Sequence, residues 1–184
     1  MKLFLTSLSI AALLVSAAVA HTVLPSDTLS GVMPDAPFNL VDQHGQPFTE
    51  ADLAGQPTAV FFGFTSCPDV CPMTLANLGA LIEEAGATGL RVVMVTVDPA
   101  NDTPEAMGEY LAGFDPAYIG LTGTPDQLNA AATRFYVTHS QVDGVISHSA
   151  SIYLLDADGQ IQDAIFYTEG HVTALPKLRA LVGG

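Results

Sequence analysis

The chain alternates between apolar runs of two kinds, and the period of each run predicts an element. Thr58-Ala59-Val60-Phe61-Phe62-Gly63-Phe64 is almost unbroken apolar sequence, which predicts a central strand covered on both faces. Arg91 to Val97 repeats that character and is closed by Asp98-Pro99. Between them, Leu75, Leu78, Leu81 and Ile82 recur at helical spacing, predicting a helix from Met73 to Ala85 with Pro72 in its first turn. Thr103-Pro104-Glu105 and Thr124-Pro125 each place a capping hydroxyl before a proline, opening helices that run to about Phe114 and Tyr136. A short strand, Ile119 to Leu121, separates them.

Two hairpins and a last helix complete the pattern. Pro37 to Val41 and Pro47-Phe48 flank a turn around Gly45, and Ile152 to Leu155 and Gln160 to Tyr167 flank Asp156-Ala157-Asp158-Gly159. Ala174 to Leu181 is the closing helix. No repeat and no Pro- or Gly-rich linker divides the chain, so residues 33–184 are expected to form one α/β domain. Its strand–helix–strand units predict a mostly parallel sheet ending in a hairpin. The order resembles a thioredoxin-like fold with an added N-terminal hairpin.

The beginning of the chain changes the picture of where it works. Lys2 precedes an apolar run from Leu3 to Ala17, interrupted only by Thr6, Ser7, Ser9 and Ser16, and the run ends in Ala18-Val19-Ala20. That is the arrangement of a signal peptide with a small-x-small cleavage site, so residues 1–20 are expected to be removed and the protein to be periplasmic or otherwise exported. The alternative is an uncleaved anchor through residues 3–20. Residues 21–32 carry Pro, Ser, Asp and Gly without periodicity and read as a flexible lead-in. Nothing later is long and apolar enough to span a bilayer.

Charge narrows the partners. Five Lys and Arg stand against 19 Asp and Glu, for a net charge of −14, and no basic cluster occurs. Nucleic acid and anionic membrane surfaces are therefore excluded as partners, since phosphate binding needs Lys and Arg. Basic protein faces and cations remain. A monomer is the default state.

The chemistry concentrates in the two cysteines, Cys67 and Cys71. They stand four apart where the buried strand turns into a helix, next to free backbone N–H groups and the positive end of the helix dipole. Such a place is expected to lower a thiol pKa. Three uses are open: two soft ligands for Cu(I) or zinc, a redox pair, or a small structural disulfide. Three intervening residues set the pair apart from the common C-x-x-C redox motif.

A metal needs a third ligand, and there are five histidines. His148 lies just before the Ile152 strand, at the end of the sheet expected to face the cysteine loop. His139 reads as part of a connecting loop, His44 as part of a hairpin turn, His171 as solvated before the last helix, and His21 as part of the lead-in. Met73 is a soft side chain near the pair but reads as helix surface or core. Asp98 ends the neighbouring strand and suits either a turn before Pro99 or a supporting role beside the site. Asp69 lies between the cysteines and either tunes their charge or faces water.

Three blocks carry a family resemblance. Gly63-Phe64-Thr65-Ser66-Cys67-Pro68-Asp69-Val70-Cys71-Pro72, then Val97-Asp98-Pro99 with Asp102-Thr103-Pro104, then His148-Ser149 before Ile152-Tyr153-Leu154-Leu155-Asp156 resemble the Sco/SenC family over about residues 33–183. The resemblance implies a thioredoxin-like fold that binds one copper through Cys67, Cys71 and His148, with Asp98 beside them. It also implies a role in maturing cytochrome c oxidase, by delivering copper to its dinuclear copper site or reducing the thiols there. The implied partners are the copper-bearing subunit of that oxidase or another cuproprotein, and other copper chaperones. On this reading the chain is a metallochaperone rather than an enzyme, with thiol–disulfide reductase activity as the alternative. Ala100-Asn101 stands where the family often has charged residues, and Ser147 where it often has an acid. A peroxiredoxin reading fails at the residues themselves: Val60 and Phe64 occupy the places of the required proline and threonine.

Overall fold

The computed structural model describes residues 36–183, so the expected signal peptide, the lead-in and His21 lie outside the described residues. A seven-stranded sheet runs in the order β2-β1-β5-β4-β3-β8-β9. Its strands are β1 (Asn39–Asp42), β2 (Pro47–Thr49), β3 (Thr58–Gly63), β4 (Arg91–Thr96), β5 (Ile119–Thr122), β8 (Ser151–Leu155) and β9 (Ile161–Phe166). Two further strands, β6 (His139–Val142) and β7 (Val145–His148), form a separate ribbon. The helices are α1 (Val70–Ala85), α2 (Pro104–Ala112), α3 (Pro125–Arg134) and α4 (His171–Val182).

The sheet is mixed rather than mostly parallel. Only β3–β4 and β4–β5 pair in parallel, through the crossovers that α1 and α2 supply. The N-terminal hairpin joins antiparallel to β5, and the β8–β9 hairpin joins antiparallel to β3. Both hairpins thus extend a three-strand parallel centre, which is why counting strand–helix–strand units overstated the parallel share.

Alternation along β3 and β4 divides the core in two. Val60, Phe62, Val93 and Val95 face one layer with Leu128, Phe135 and Phe38. Ala59, Phe61, Val92 and Met94 face the other, with Leu75 and Leu78 of α1, Met107 and Leu111 of α2 and Leu178 of α4. Each fully buried Val, Leu, Phe or Met among them stabilises the fold by about 1.5–3 kcal/mol. Phe135 stacks edge-on against Phe38 and Tyr153, binding the first layer across three elements. Because every residue of β3 is buried, the turn that follows it is held rigidly at the sheet end. Among the described residues no helix is long and apolar enough to cross a membrane.

Candidate metal centre

Helix α1 begins three residues earlier than the apolar spacing suggests, at Val70, and this puts Cys71 inside its first turn. The capping residue is Asp69, whose side chain makes no capping bond. A sulfur takes that place: the Cys71 N–H donates to Cys67 Sγ at 3.3 Å. The turn is also closed by the Cys67 N–H on the Phe64 carbonyl at 3.2 Å. The helix N-terminus therefore points its free N–H at a cysteine sulfur, as the strand-to-helix junction suggested.

The two thiols are free and unlike each other. Cys67 is half-buried, whereas Cys71 is 0% exposed and packs in the core layer beside Leu75 and Phe61. Gly63 makes room for it, since a β-carbon at residue 63 would stand 2.6 Å from Phe61 Cζ and 3.0 Å from Cys71 Sγ. Burial, and next the neighbouring Cys67, pushes the Cys71 thiol up to about 12. The expectation that the helix terminus lowers the thiol pKa is thus reversed at Cys71, because loss of water outweighs the dipole.

His148 arrives from the other side of the sheet end, as the last residue of β7. Its Nε2 lies 3.9 Å from Cys71 Sγ and its Nδ1 lies 3.1 Å from the Ser149 carbonyl oxygen. A carbonyl only accepts, so Nδ1 carries the hydrogen and Nε2 turns its lone pair toward the sulfur. Phe64 holds the ring edge-on at 5.9 Å between centroids. Burial of the ring lowers the His148 pKa and the charge of His139 pushes the same way, against the raising effect of the Ser149 bond. The imidazole is therefore neutral and able to ligate at neutral pH.

The turn between β3 and the cysteines is held against β4 by a residue that sequence reasoning passed over. Asp102, 0% exposed, accepts from the Thr65 hydroxyl at 2.6 Å, the Thr65 N–H at 3.1 Å and the Thr96 hydroxyl at 2.5 Å. Asp98 is also buried, but its carboxylate accepts from Asn101 at 2.8 Å, and its contacts tie it to its own turn rather than to the cysteines. Asp102 was visible only as part of Asp102-Thr103-Pro104.

The other candidates divide. His139 lies in a strand, not a loop: it is the first residue of β6, directly opposite His148. The turn between them, Asp143-Gly144, has φ of 51° and 80°, the pattern of a tight hairpin. His171 opens α4 and pairs with Glu84 at 3.2 Å, so it is bonded rather than merely solvated. His44 and Asp69 are exposed, and Met73 is 45% exposed on α1. Among the described residues no three His, Cys, Asp or Glu side chains already converge on one point fit for a metal ion. What stands assembled is the Cys71–His148 pair, with Cys67 Sγ held on the Cys71 amide. Two sulfurs and one imidazole nitrogen form a soft, low-coordinate set of the kind that Cu(I) accepts.

Comparison with known proteins shows what the chain as a whole is similar to. The SCO1/SenC family model matches residues 27–183. The mitochondrial protein SCO2 of Saccharomyces cerevisiae is 39% identical over 153 residues, covering 78% of this chain and 51% of that protein. The chain thus spans about half the length of the yeast SCO2 and SCO1 proteins it matches. Bradyrhizobium japonicum ScoI, solved with copper bound, superposes with a TM-score of 0.69 at 36% identity, covering 79% of this chain and 97% of that one. Yeast Sco1 with copper bound superposes at 0.74 with 34% identity, covering 85% and 90%. The mixed α/β fold thus matches these Sco structures, which are thioredoxin-like.

Proposed function

The chain belongs to the SCO1/SenC family, and from that premise we propose that it is an exported copper chaperone that holds one copper through Cys67, Cys71 and His148. Copper binding is supported by the copper-bound relatives and by the soft donor set. The observation that carries the ligand assignment is the Cys71 Sγ to His148 Nε2 separation of 3.9 Å, with Nδ1 committed to Ser149. The copper is cargo: a site at the end of the sheet, with one half-exposed sulfur, lets the ion in and out. Asp102 keeps the cysteine turn in register, and Asp98 steadies the neighbouring turn after β4 through Asn101.

The destination we propose is the dinuclear copper site of cytochrome c oxidase, or another cuproprotein with exposed thiol ligands. Arg91, Arg134, Lys177 and Arg179, the Lys and Arg side chains among the described residues, each bond within the fold. With 19 Asp and Glu against five Lys and Arg, the acids set the surface field, which favours encounter with a basic partner face. Export rests on residues 1–20, with Lys2, the apolar run and Ala18-Val19-Ala20. Residues 33–184 form the working domain.

A second reading, reduction of a target's copper-site cysteines, is favoured by the two free thiols and their unequal exposure. Cys67 would attack the target disulfide and Cys71 would resolve it. Copper stoichiometry of the reduced chain, beside Cys67→Ser and His148→Ala, separates the two. One copper in the wild type and a large loss in both variants supports the chaperone. Absence of copper in the wild type leaves the reductase reading.

A further inference from the structure

The ribbon that carries His148 carries a second histidine directly across from it. His139 opposes His148 and Gln141 opposes Ile146 in the antiparallel register. Directly opposed side chains start from one face with β-carbons about 4.5–5.5 Å apart. Both histidines are half-buried, whereas Ser140 and Ser147 on the opposite face are exposed. Ser149 pins this end of the ribbon, its N–H donating to the Thr138 carbonyl and its hydroxyl accepting from the Thr138 N–H. The pair therefore sits at the held end, away from the Asp143-Gly144 tip. His139 also lines an open cavity with Asp98, Asn129, Gln141 and Ile146, so it is reached from solvent. Neither the helix ends nor the sheet needs an imidazole there.

We propose that His139 is an exchange ligand, whose imidazole takes the copper alongside His148 when the bond to Cys67 opens. The inference rests on the copper reading above. Imidazole is, like thiolate, a ligand that copper accepts. Two rings on one ribbon face can reach a common ion, since metal–nitrogen bonds of zinc-like ions are about 2.0–2.1 Å. Cys67 is the ligand that leaves, because it is half-exposed while Cys71 is locked in the core. The Cu–Sγ bond of Cys67 breaks as a Cu–N bond to His139 forms. Copper keeps its oxidation state, and the Cys67 thiolate takes a proton from water.

Transfer of copper from the reduced, Cu(I)-loaded full chain to bathocuproine disulfonate, followed by stopped-flow absorbance, tests this. His139→Ala and His139→Gln are expected to load one copper like the wild type and to release it about tenfold more slowly or worse. Millimolar free imidazole is expected to restore the rate of His139→Ala, which a merely structural role would not allow. Release at the wild-type rate in both variants, or a slowing that imidazole leaves unchanged, overturns the proposal while the copper site stands. A wild-type chain that takes up no copper overturns the copper reading, and this inference with it.

Discussion

The Thr65 hydroxyl donates to the Asp102 carboxylate at 2.6 Å, joining the turn that leaves β3 to the turn that leaves β4. The same carboxylate receives Thr96, a strand residue that is 0% exposed. One buried acid thus fixes the stretch from Gly63 to Cys67 against the neighbouring strand. Asp102→Ala is expected to leave the Thr96 hydroxyl and the Thr65 N–H unpaired and to destabilise the chain by about 2–3 kcal/mol. Copper affinity is expected to fall by about 10–100-fold, as for loss of a group that orients ligands. Urea unfolding and chelator competition measure the two effects, and wild-type values in both would contradict the clamp.

Gly63 is required by close approach rather than by backbone conformation. A β-carbon there meets the Phe61 ring at 2.6 Å and Cys71 Sγ at 3.0 Å. Gly63→Ala is expected to cost about 1–3 kcal/mol of stability by overpacking, and to weaken copper binding by displacing Cys71. Denaturant midpoints and copper titrations check this, and an alanine variant as stable as wild type would refute it.

The buried Cys71 thiol makes both stability and copper uptake depend on pH. Its pKa stands at about 12 in the fold, against an ordinary value of 9.0. The folded copper-free chain keeps a proton that the unfolded chain gives up, so this group's stabilisation is intact below the ordinary value and is lost as pH rises toward the folded one. Copper must displace the same proton. Apparent affinity is therefore expected to rise by at least about tenfold per pH unit between about pH 6 and 9. Competition with a chelator of known proton dependence measures the slope, and a flat profile would show that Cys71 is not a thiolate ligand.

Tyr110 carries a buried hydroxyl with no hydrogen-bond partner among the described residues. Burial, followed by the charges of Cys71, Cys67 and Asp102, pushes its pKa up to about 12. Removing an unpaired polar atom relieves its desolvation, so Tyr110→Phe is expected to be neutral or to stabilise the copper-free chain by about 1 kcal/mol. Thermal unfolding decides, with a clear fall in midpoint as the contrary result.

Much of this arrangement was legible in the residues. The unbroken apolar run of β3, the helical spacing after Pro72 and the three motif blocks pointed to Cys67, Cys71 and His148 at one end of a sheet. The structure sets Cys71 and His148 side by side there. The β6–β7 ribbon was missed because its strands are short and mostly exposed, so they lack the apolar alternation that marks a strand. The Asp143-Gly144 turn was its readable sign. The direction of the Cys71 shift depends on depth in the core, which a position at a helix start does not reveal. Asp102 was hidden for the same reason, since an acid in a loop reads as solvated until three donors are seen to converge on it.

The central claim is the ligand set, and copper X-ray absorption on the reduced, Cu(I)-loaded full chain tests it most directly. Two sulfurs at about 2.3 Å and one nitrogen at about 2.0 Å, the bond lengths such ligands take on zinc-like ions, are expected. The nitrogen contribution is expected to vanish in His148→Ala while both sulfurs remain. A wild-type spectrum with sulfur ligands alone, or a nitrogen that persists without His148, would contradict the account.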